Sequence, residues 1–316
     1  MEFKKTLVQV LSVFGIRKKY RHAIREILLH DGFSWLNSNG RTRLFFCDSN
    51  FGDALNVDLL RFFGRKVVKT PARFADVCCI GSLLEYFLSR YKKERIARPI
   101  YIFGAGFMRD ALLSEERFCR PVHIYALRGR LSKKRCENIL NQSLEHVVVG
   151  DPGLLIGKIF PQTKRSNKYD VGIIPHYADK GEVALKNIKL NKLSCRIIDV
   201  EEKTDEFVKQ VAECSFIISS SLHGLICSDS LGIPNKPIIL SDKVLGDGYK
   251  FNDYYSVFES AFYNPVDLRI DDIQDEDIEK FKSDYAVKLE EVESICRNLI
   301  SAYDDMNVAI KKNLNR

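Results

Sequence analysis

Residues 216–234 read F-I-I-S-S-S-L-H-G-L-I-C-S-D-S-L-G-I-P. Phe216, Ile217 and Ile218 make an apolar, largely β-branched run of the kind that forms a buried strand. Past Ser219, Ser220 and Ser221, the apolar residues Leu222, Leu225, Ile226 and Leu231 recur at helical spacing, and Gly232 and Pro234 stop the helix. A strand that enters a helix through small hydroxyl residues gathers unpaired N–H groups, hydroxyls and the positive end of the helix dipole at one point, which suits an anion. His223 falls in that first turn and adds a side chain able to carry a proton, while Leu222 and Gly224 flank it.

The same strand-then-helix alternation extends outward over most of the 316 residues. Apolar, β-rich runs at 44–47, 67–68, 77–80, 100–103, 122–127 and 147–149 alternate with helix-period segments at 54–63, 83–90 and 131–140. After a polar, turn-rich stretch at 160–169, further strands are expected at 171–174, 196–200, 216–219 and 237–240, with helices around 183–190 and 206–214. This pattern predicts an α/β protein with two doubly wound, mostly parallel domains, 41–165 and 166–265. Residues 266–316 read as a helical tail without chemistry of its own, free to pack back across both.

Composition narrows the function. A 45% hydrophobic, 29% charged chain is ordinary for a globular protein. The net charge of +7 favours anionic small molecules or an acidic membrane surface and falls short of what nucleic-acid binding asks for. The nine cysteines include no C-x-x-C pair, and Cys47, Cys195, Cys214 and Cys227 lie in apolar patterns. Buried, reduced thiols of a cytoplasmic protein are expected, with no metal site. No run approaches the roughly 18 apolar residues of a membrane span. Residues 1–30 hold seven Lys or Arg against two Glu, with apolar residues at helical spacing. Within 1–40, this is either a helix packed on the domain with a solvated basic face or an amphipathic segment resting on an anionic membrane. The basic block after 7–16 argues against a cleaved signal peptide.

Several turns at strand ends carry candidate chemistry. In N-F-G-D-A-L-N (50–56), Gly52 permits a tight turn, and Asp53 is either a helix cap or a carboxylate at the ligand-binding edge of a parallel sheet; Asn50 precedes it. In F-G-A-G-F (103–107), Gly104 and Gly106 give half of a dinucleotide fingerprint, but Arg109 stands where a third glycine belongs, so a nicotinamide site is rejected. The glycines are expected to bring backbone close to a ligand or to the other domain. In L-R-G-R (127–130), Arg128 is a surface cation or a forked ligand for phosphate or carboxylate. G-D-P-G (150–153) reads as a structural turn. His176 and Tyr177, ending I-I-P-H-Y (173–177), face the expected cleft or are structural. Lys250, behind Gly246 and Gly248, is either a further cation of the site or solvated.

Taken in order and spacing, N-F-G-D-A-L-N, F-G-A-G-F, L-R-G-R-L-S, G-D-P-G-L-L, I-I-P-H-Y and S-S-S-L-H-G-L-I resemble the polysaccharide pyruvyl transferase family over roughly residues 43–260. The resemblance implies two Rossmann-like domains across a cleft, as in GT-B enzymes. It implies phosphoenolpyruvate as donor, no cofactor, and a glycan or lipid-linked oligosaccharide as acceptor. The product would be a pyruvate ketal on a surface polysaccharide or its repeat unit. Where family members carry arginine before Leu-His, this chain has Ser221, which offers only a hydrogen bond; Arg128, Lys250 or His176 would have to compensate. On this scheme Ser219, Ser220, Ser221, Leu222, Gly224, Arg128, His176 and Lys250 hold the donor. His223 is the acid or phosphate partner and Asp53 the base on the acceptor. Asn50, Gly52, Gly104, Gly106 and Tyr177 line the acceptor side.

Two other functions fit parts of the same pattern. A GT-B glycosyltransferase using a nucleotide sugar would need a ribose-binding acid after His223, a place for which Asp229 is the candidate. A non-catalytic assembly factor would not require Asp53, Arg128 and His223 to converge.

Overall fold

The computed structural model describes residues 41–47, 50–89, 99–111 and 116–314. The basic segment 1–30 and its expected membrane contact therefore lie outside the described residues. The elements begin with β1 (Arg41–Phe45), α1 (Phe51–Phe62), β2 (Lys66–Lys69), β3 (Val77–Cys78), β4 (Ile100–Phe103), β5 (Val122–Leu127), α2 (Arg130–Leu140), β6 (Val148–Val149) and the short α3 (Ile156–Ile159). There follow β7 (Tyr169–Ile174), β8 (Ile188–Lys189), β9 (Cys195–Ile197), α4 (Thr204–Ala212), β10 (Cys214–Ser219), α5 (Leu222–Ser230), β11 (Asn235–Ile239) and α6 (Tyr249–Tyr255). The chain closes with β12 (Val266–Asp267), β13 (Ile273–Gln274), α7 (Asp275–Ser283) and α8 (Leu289–Leu314).

The protein is a mixed α/β structure built on parallel sheets. The first sheet runs β2-β1-β3-β4-β5-β6 and the second β12-β11-β10-β7-β9, with every pairing parallel. In each, the opening strand lies inside the sheet, its successor on one side and the later strands on the other. The winding therefore reverses between β1 and β3, and again between β7 and β10. Such switch points leave a crevice at the carboxyl ends of the strands, where ligands of open α/β sheets bind.

Local sequence explains these elements. The run Phe216–Ile218 is fully buried in β10, flanked by β7 and β11. Asn50, in extended conformation, caps α1 by accepting from the backbone N–H groups of Gly52 at 2.9 Å and Asp53 at 3.3 Å. Asn50, not Asp53, is thus the cap, and Asp53 falls in the first turn, where a carboxylate meets the positive helix end.

Some sequence expectations change. Of the helix expected over 83–90, the described part forms only a 3₁₀ turn, Leu84–Phe87, because Leu88 then bridges to Phe118. The helix expected at 183–190 is a 3₁₀ turn, Val183–Asn187, running into β8, which pairs with β13. Cys195 is exposed and Cys47 half-buried: β9 is an edge strand, so its apolar pattern is covered on one side only. The second sheet runs past residue 265, since β12 forms its edge. Helix α8 is part of the core. Val292, Ile295, Cys296, Leu299, Ala302, Tyr303, Met306 and Ile310 form a buried stripe at helical spacing, packed on β5, β6 and α5. Tyr303 stacks on Phe63 with ring centroids 3.6 Å apart. One continuous apolar cluster joins Leu44 and Phe103 of the first sheet to Ile174 and Ile217 of the second.

Candidate active site

The carboxyl ends of β1, β3, β4, β7 and β10 border one cavity of about 580 Å³, whose lining includes Asn50, Asp53, Ser82, Arg109, His176, Tyr177, Ser221, Leu222, His223 and Lys250. The two switch points thus meet on a shared space, with residues of both sheets in its wall.

His223 sits in the first turn of α5 with its ring against the start of α1. A Cβ at Gly52 would lie 2.0 Å from His223 Nδ1, so glycine there is what lets the imidazole rest on the helix. His223 Nε2 is buried with no hydrogen-bond partner. Burial holds the imidazole pKa down to about 3, helped by the charges of Lys250, Arg128 and His176. His223 is therefore neutral at pH 7, beside groups that an anion would neutralise. His176 is likewise held to about 3, by burial and by Lys250, and its Nδ1 accepts from Ala178 N at 3.3 Å. Tyr177, 43% exposed, lines the cavity with its ring centroid 4.2 Å from that of His176.

Lys250 is 8% exposed and has no carboxylate within ion-pair distance among the described residues. Burial, then Arg128, lowers its pKa to about 8, against the raising charges of Asp179 and Asp53. A cation is thus kept where folding disfavours it. The cost is fully present below pH 8 and fades between 8 and 10.5, as the unfolded chain, which binds the proton more tightly, releases it too. Lys250→Met is expected to raise stability at pH 7 by up to about 3 kcal/mol, with the gain vanishing above pH 10.5. Thermal unfolding at the two pH values checks this. A destabilised variant at pH 7 would mean that the ammonium serves the fold.

The three serines divide. Ser219 Oγ has its single proton within reach of the carbonyls of Ile174 and Ser221, at 3.0 and 2.9 Å, and accepts from Ser221 N. Ser220 Oγ donates to Asp179 Oδ2 at 2.7 Å and accepts from His176 N at 2.9 Å. Both hydroxyls hold β7 and β10 together behind the cavity. Ser221 alone lines it, as the N-cap residue of α5 with no side-chain capping bond. Gly224 also lies behind the cavity, where a Cβ would come 2.5 Å from Ser219 Oγ.

Arg128, expected at the donor, is 1% exposed and outside the cavity lining. Its Nε donates to Asp253 Oδ2 at 2.9 Å, Nη1 to Ser82 Oγ at 2.7 Å and Nη2 to the Phe107 carbonyl. Asp253 also accepts from Ser132 N and Oγ. The pair locks the β5–α2 turn onto α6. Breaking a buried pair of this kind strands a charge, at a cost of about 3–5 kcal/mol. Gly106 is needed because the Arg128 guanidinium passes over it, and Gly104 because Pro152 does; neither glycine lines the cavity. The turn 150–153 is structural, with Asp151 Oδ1 capping it through Gly153 N at 2.8 Å.

Asp53 and His223 therefore share the cavity, and Arg128 braces it from behind. Asp229 is fully buried and bonded to Tyr254, Tyr285 and Asn235, away from any place where a ribose could reach it. Sequence reasoning missed Arg109, Ser82, Tyr86 and Leu245, all in the lining. Arg109 follows the carboxyl end of β4, a signal read in the sequence only as the loss of a glycine. No group of His, Cys, Asp or Glu among the described residues is arranged to hold a metal ion. No helix among them is long and apolar enough to cross a membrane.

Fold and site together define an α/β protein with a cavity between two parallel sheets, lined by an imidazole, a carboxylate and a buried ammonium. The chain belongs to the polysaccharide pyruvyl transferase family, whose sequence model matches residues 16–239. It is 35% identical over 225 residues, 68% of this chain and 72% of the relative, to the uncharacterized protein L143 of Acanthamoeba polyphaga mimivirus. Among solved structures it is similar to a variant of the wall teichoic acid polymerase TagF, with a TM-score of 0.44, 12% identity and coverage of 99% of this chain and 98% of that one. It is also similar to a functionally uncharacterized protein of Klebsiella pneumoniae, with a TM-score of 0.36, 9% identity and coverage of 72% of this chain and 93% of that one.

Proposed function

We propose that this protein moves the enolpyruvyl group of phosphoenolpyruvate onto a pair of sugar hydroxyls, forming a pyruvate ketal on a surface polysaccharide or its lipid-linked repeat unit. The observation that carries this is the unpartnered Nε2 of His223, set with Lys250 at the N-terminus of α5 and facing a cavity that also holds Asp53. The phosphate rests against the α5 N-terminus and Lys250. The bound phosphate offsets the neighbouring cations so that His223 takes up a proton. That proton passes to the methylene carbon, one sugar hydroxyl adds to the carbon bearing phosphate as Asp53 takes its proton, and Asp53 releases it again at the end of the cycle. The second hydroxyl then forms a C–O bond at the same carbon, the C–O bond to phosphate breaks, and phosphate leaves with a proton. The net change is phosphoenolpyruvate plus diol to ketal plus hydrogen phosphate. The two-sheet arrangement is taken as GT-B-like, donor in the second half and acceptor in the first. Nine free cysteines favour a reducing compartment, and we place the reaction in the cytoplasm. There the basic residues of 1–30 would rest on the anionic membrane that carries a lipid-linked acceptor.

Incubation with phosphoenolpyruvate and a panel of lipid-linked sugars tests this. Phosphate release matched by a mass gain on the glycan is expected. Turnover with a nucleotide sugar and none with phosphoenolpyruvate would overturn the donor.

A further inference from the structure

The donor just proposed carries two anionic heads, a phosphate and a carboxylate, on one carbon. The second half of the protein answers the first with Lys250 and the α5 N-terminus, but Ser221 leaves no arginine there for the other. Among the described residues, the wall contributed by the first half contains one basic side chain, Arg109; its ionisable neighbours in that wall include Asp53 and Glu85. Arg109 Nε is buried with no hydrogen-bond partner, and the side chain makes no ion pair among the described residues.

The backbone around Arg109 is, by contrast, fastened on two sides. Glu85 Oε1 accepts from Met108 N at 2.7 Å and from Arg109 N at 3.3 Å, while the Arg135 guanidinium donates to the Arg109 carbonyl. Arg135 is itself held by both carboxylate oxygens of Glu116, at 2.8 and 2.7 Å, and lies over the Phe107 ring at 3.9 Å. A guanidinium on a fixed backbone, buried at Nε and without an ion pair among the described residues, is pre-organised for an anion that arrives with the ligand. Its planar fork matches a carboxylate in a bidentate way that an ammonium cannot reproduce.

We infer that Arg109 grips the carboxylate of the donor from the first half of the protein, supplying across the cavity the cation that Ser221 does not. The donor then bridges the two halves, phosphate on α5 and carboxylate on the β4 side. This rests on phosphoenolpyruvate being the donor.

Calorimetric titration of the full chain with phosphoenolpyruvate and, separately, with inorganic phosphate tests it in the wild type, Arg109→Ala and Arg109→Lys. Arg109→Ala is expected to weaken phosphoenolpyruvate binding about 10- to 100-fold, the scale of a lost charge-assisted contact, and to leave phosphate binding within about 3-fold. Arg109→Lys, which keeps the charge and the anchored backbone, should recover only part of the loss. Unchanged phosphoenolpyruvate binding in both variants overturns the inference while leaving the donor intact. Equal weakening of both ligands overturns the carboxylate assignment. A wild type that binds no phosphoenolpyruvate overturns the donor and, with it, this contact.

Discussion

Replacement of His223 by alanine is expected to lower pyruvyl transfer by about 10²–10⁴-fold, the usual range for a lost proton-transfer group, in a protein that remains folded. His223 is neutral in the free protein because burial and the charges of Lys250, Arg128 and His176 hold its pKa at about 3. An arriving phosphate offsets those cations and favours the imidazolium, so donor binding should take up a proton. Calorimetry in buffers of different ionisation enthalpy would show that uptake in the wild type and a smaller one in His223→Ala. The folded state has its own signature. The unfolded chain protonates His223 near pH 6.5, whereas the folded chain resists until about pH 3. Stability contributed by this site is therefore complete above 6.5 and is lost as pH falls toward 3. His223→Ala should show less loss of stability than the wild type over that window. A variant that transfers pyruvate at near wild-type rate would remove His223 from the chemistry.

Gly52→Ala should give a comparable loss of transfer without a loss of stability. Gly52 lies in α1 at a helical position with no positive φ, and alanine is the better helix former there by about 1 kcal/mol. A methyl at 52 would sit 2.0, 2.3 and 2.4 Å from Nδ1, Cγ and Cε1 of His223, so the ring has to leave its seat. The side chain can swing, and the backbone need not. We expect an unchanged or slightly raised melting temperature, transfer reduced by at least about 10²-fold, and a double variant no worse than His223→Ala alone, since the two changes remove one interaction. Additive losses in the double variant would show that Gly52 acts on something other than the imidazole.

Much of this was legible in the sequence. Periodicity alone identified the alternation of strands and helices. The F-I-I-S-S-S-L-H stretch placed His223 at a helix start beneath a buried strand, because strand, turn and first helical turn are all decided by neighbours along the chain. The Asn50–Asp53 turn was visible for the same reason. Local order did not reveal how each polar group is spent. Ser219, Ser220 and Ser221 look alike in sequence, yet two hydroxyls are consumed by Ile174, Asp179 and His176 while the third faces the cavity.

The two arginines show the division most clearly. Arg128 and Arg109 each follow the carboxyl end of a strand, and sequence favoured Arg128. Asp253, 125 residues further along the chain, draws the Arg128 guanidinium out of the site and into a buried pair. Glu85 and Arg135 instead fasten only the backbone of Arg109, whose Nε has no hydrogen-bond partner among the described residues and whose side chain lines the cavity. The sequence determined most of the strands and helices and the residues at strand ends, since those are properties of short stretches; the exceptions, 83–90 and 183–190, were settled by remote pairings with Phe118 and β13. Which of those residues line the cavity was decided by partners remote in the chain, because a buried charge takes whatever counter-charge the tertiary structure brings within hydrogen-bond distance.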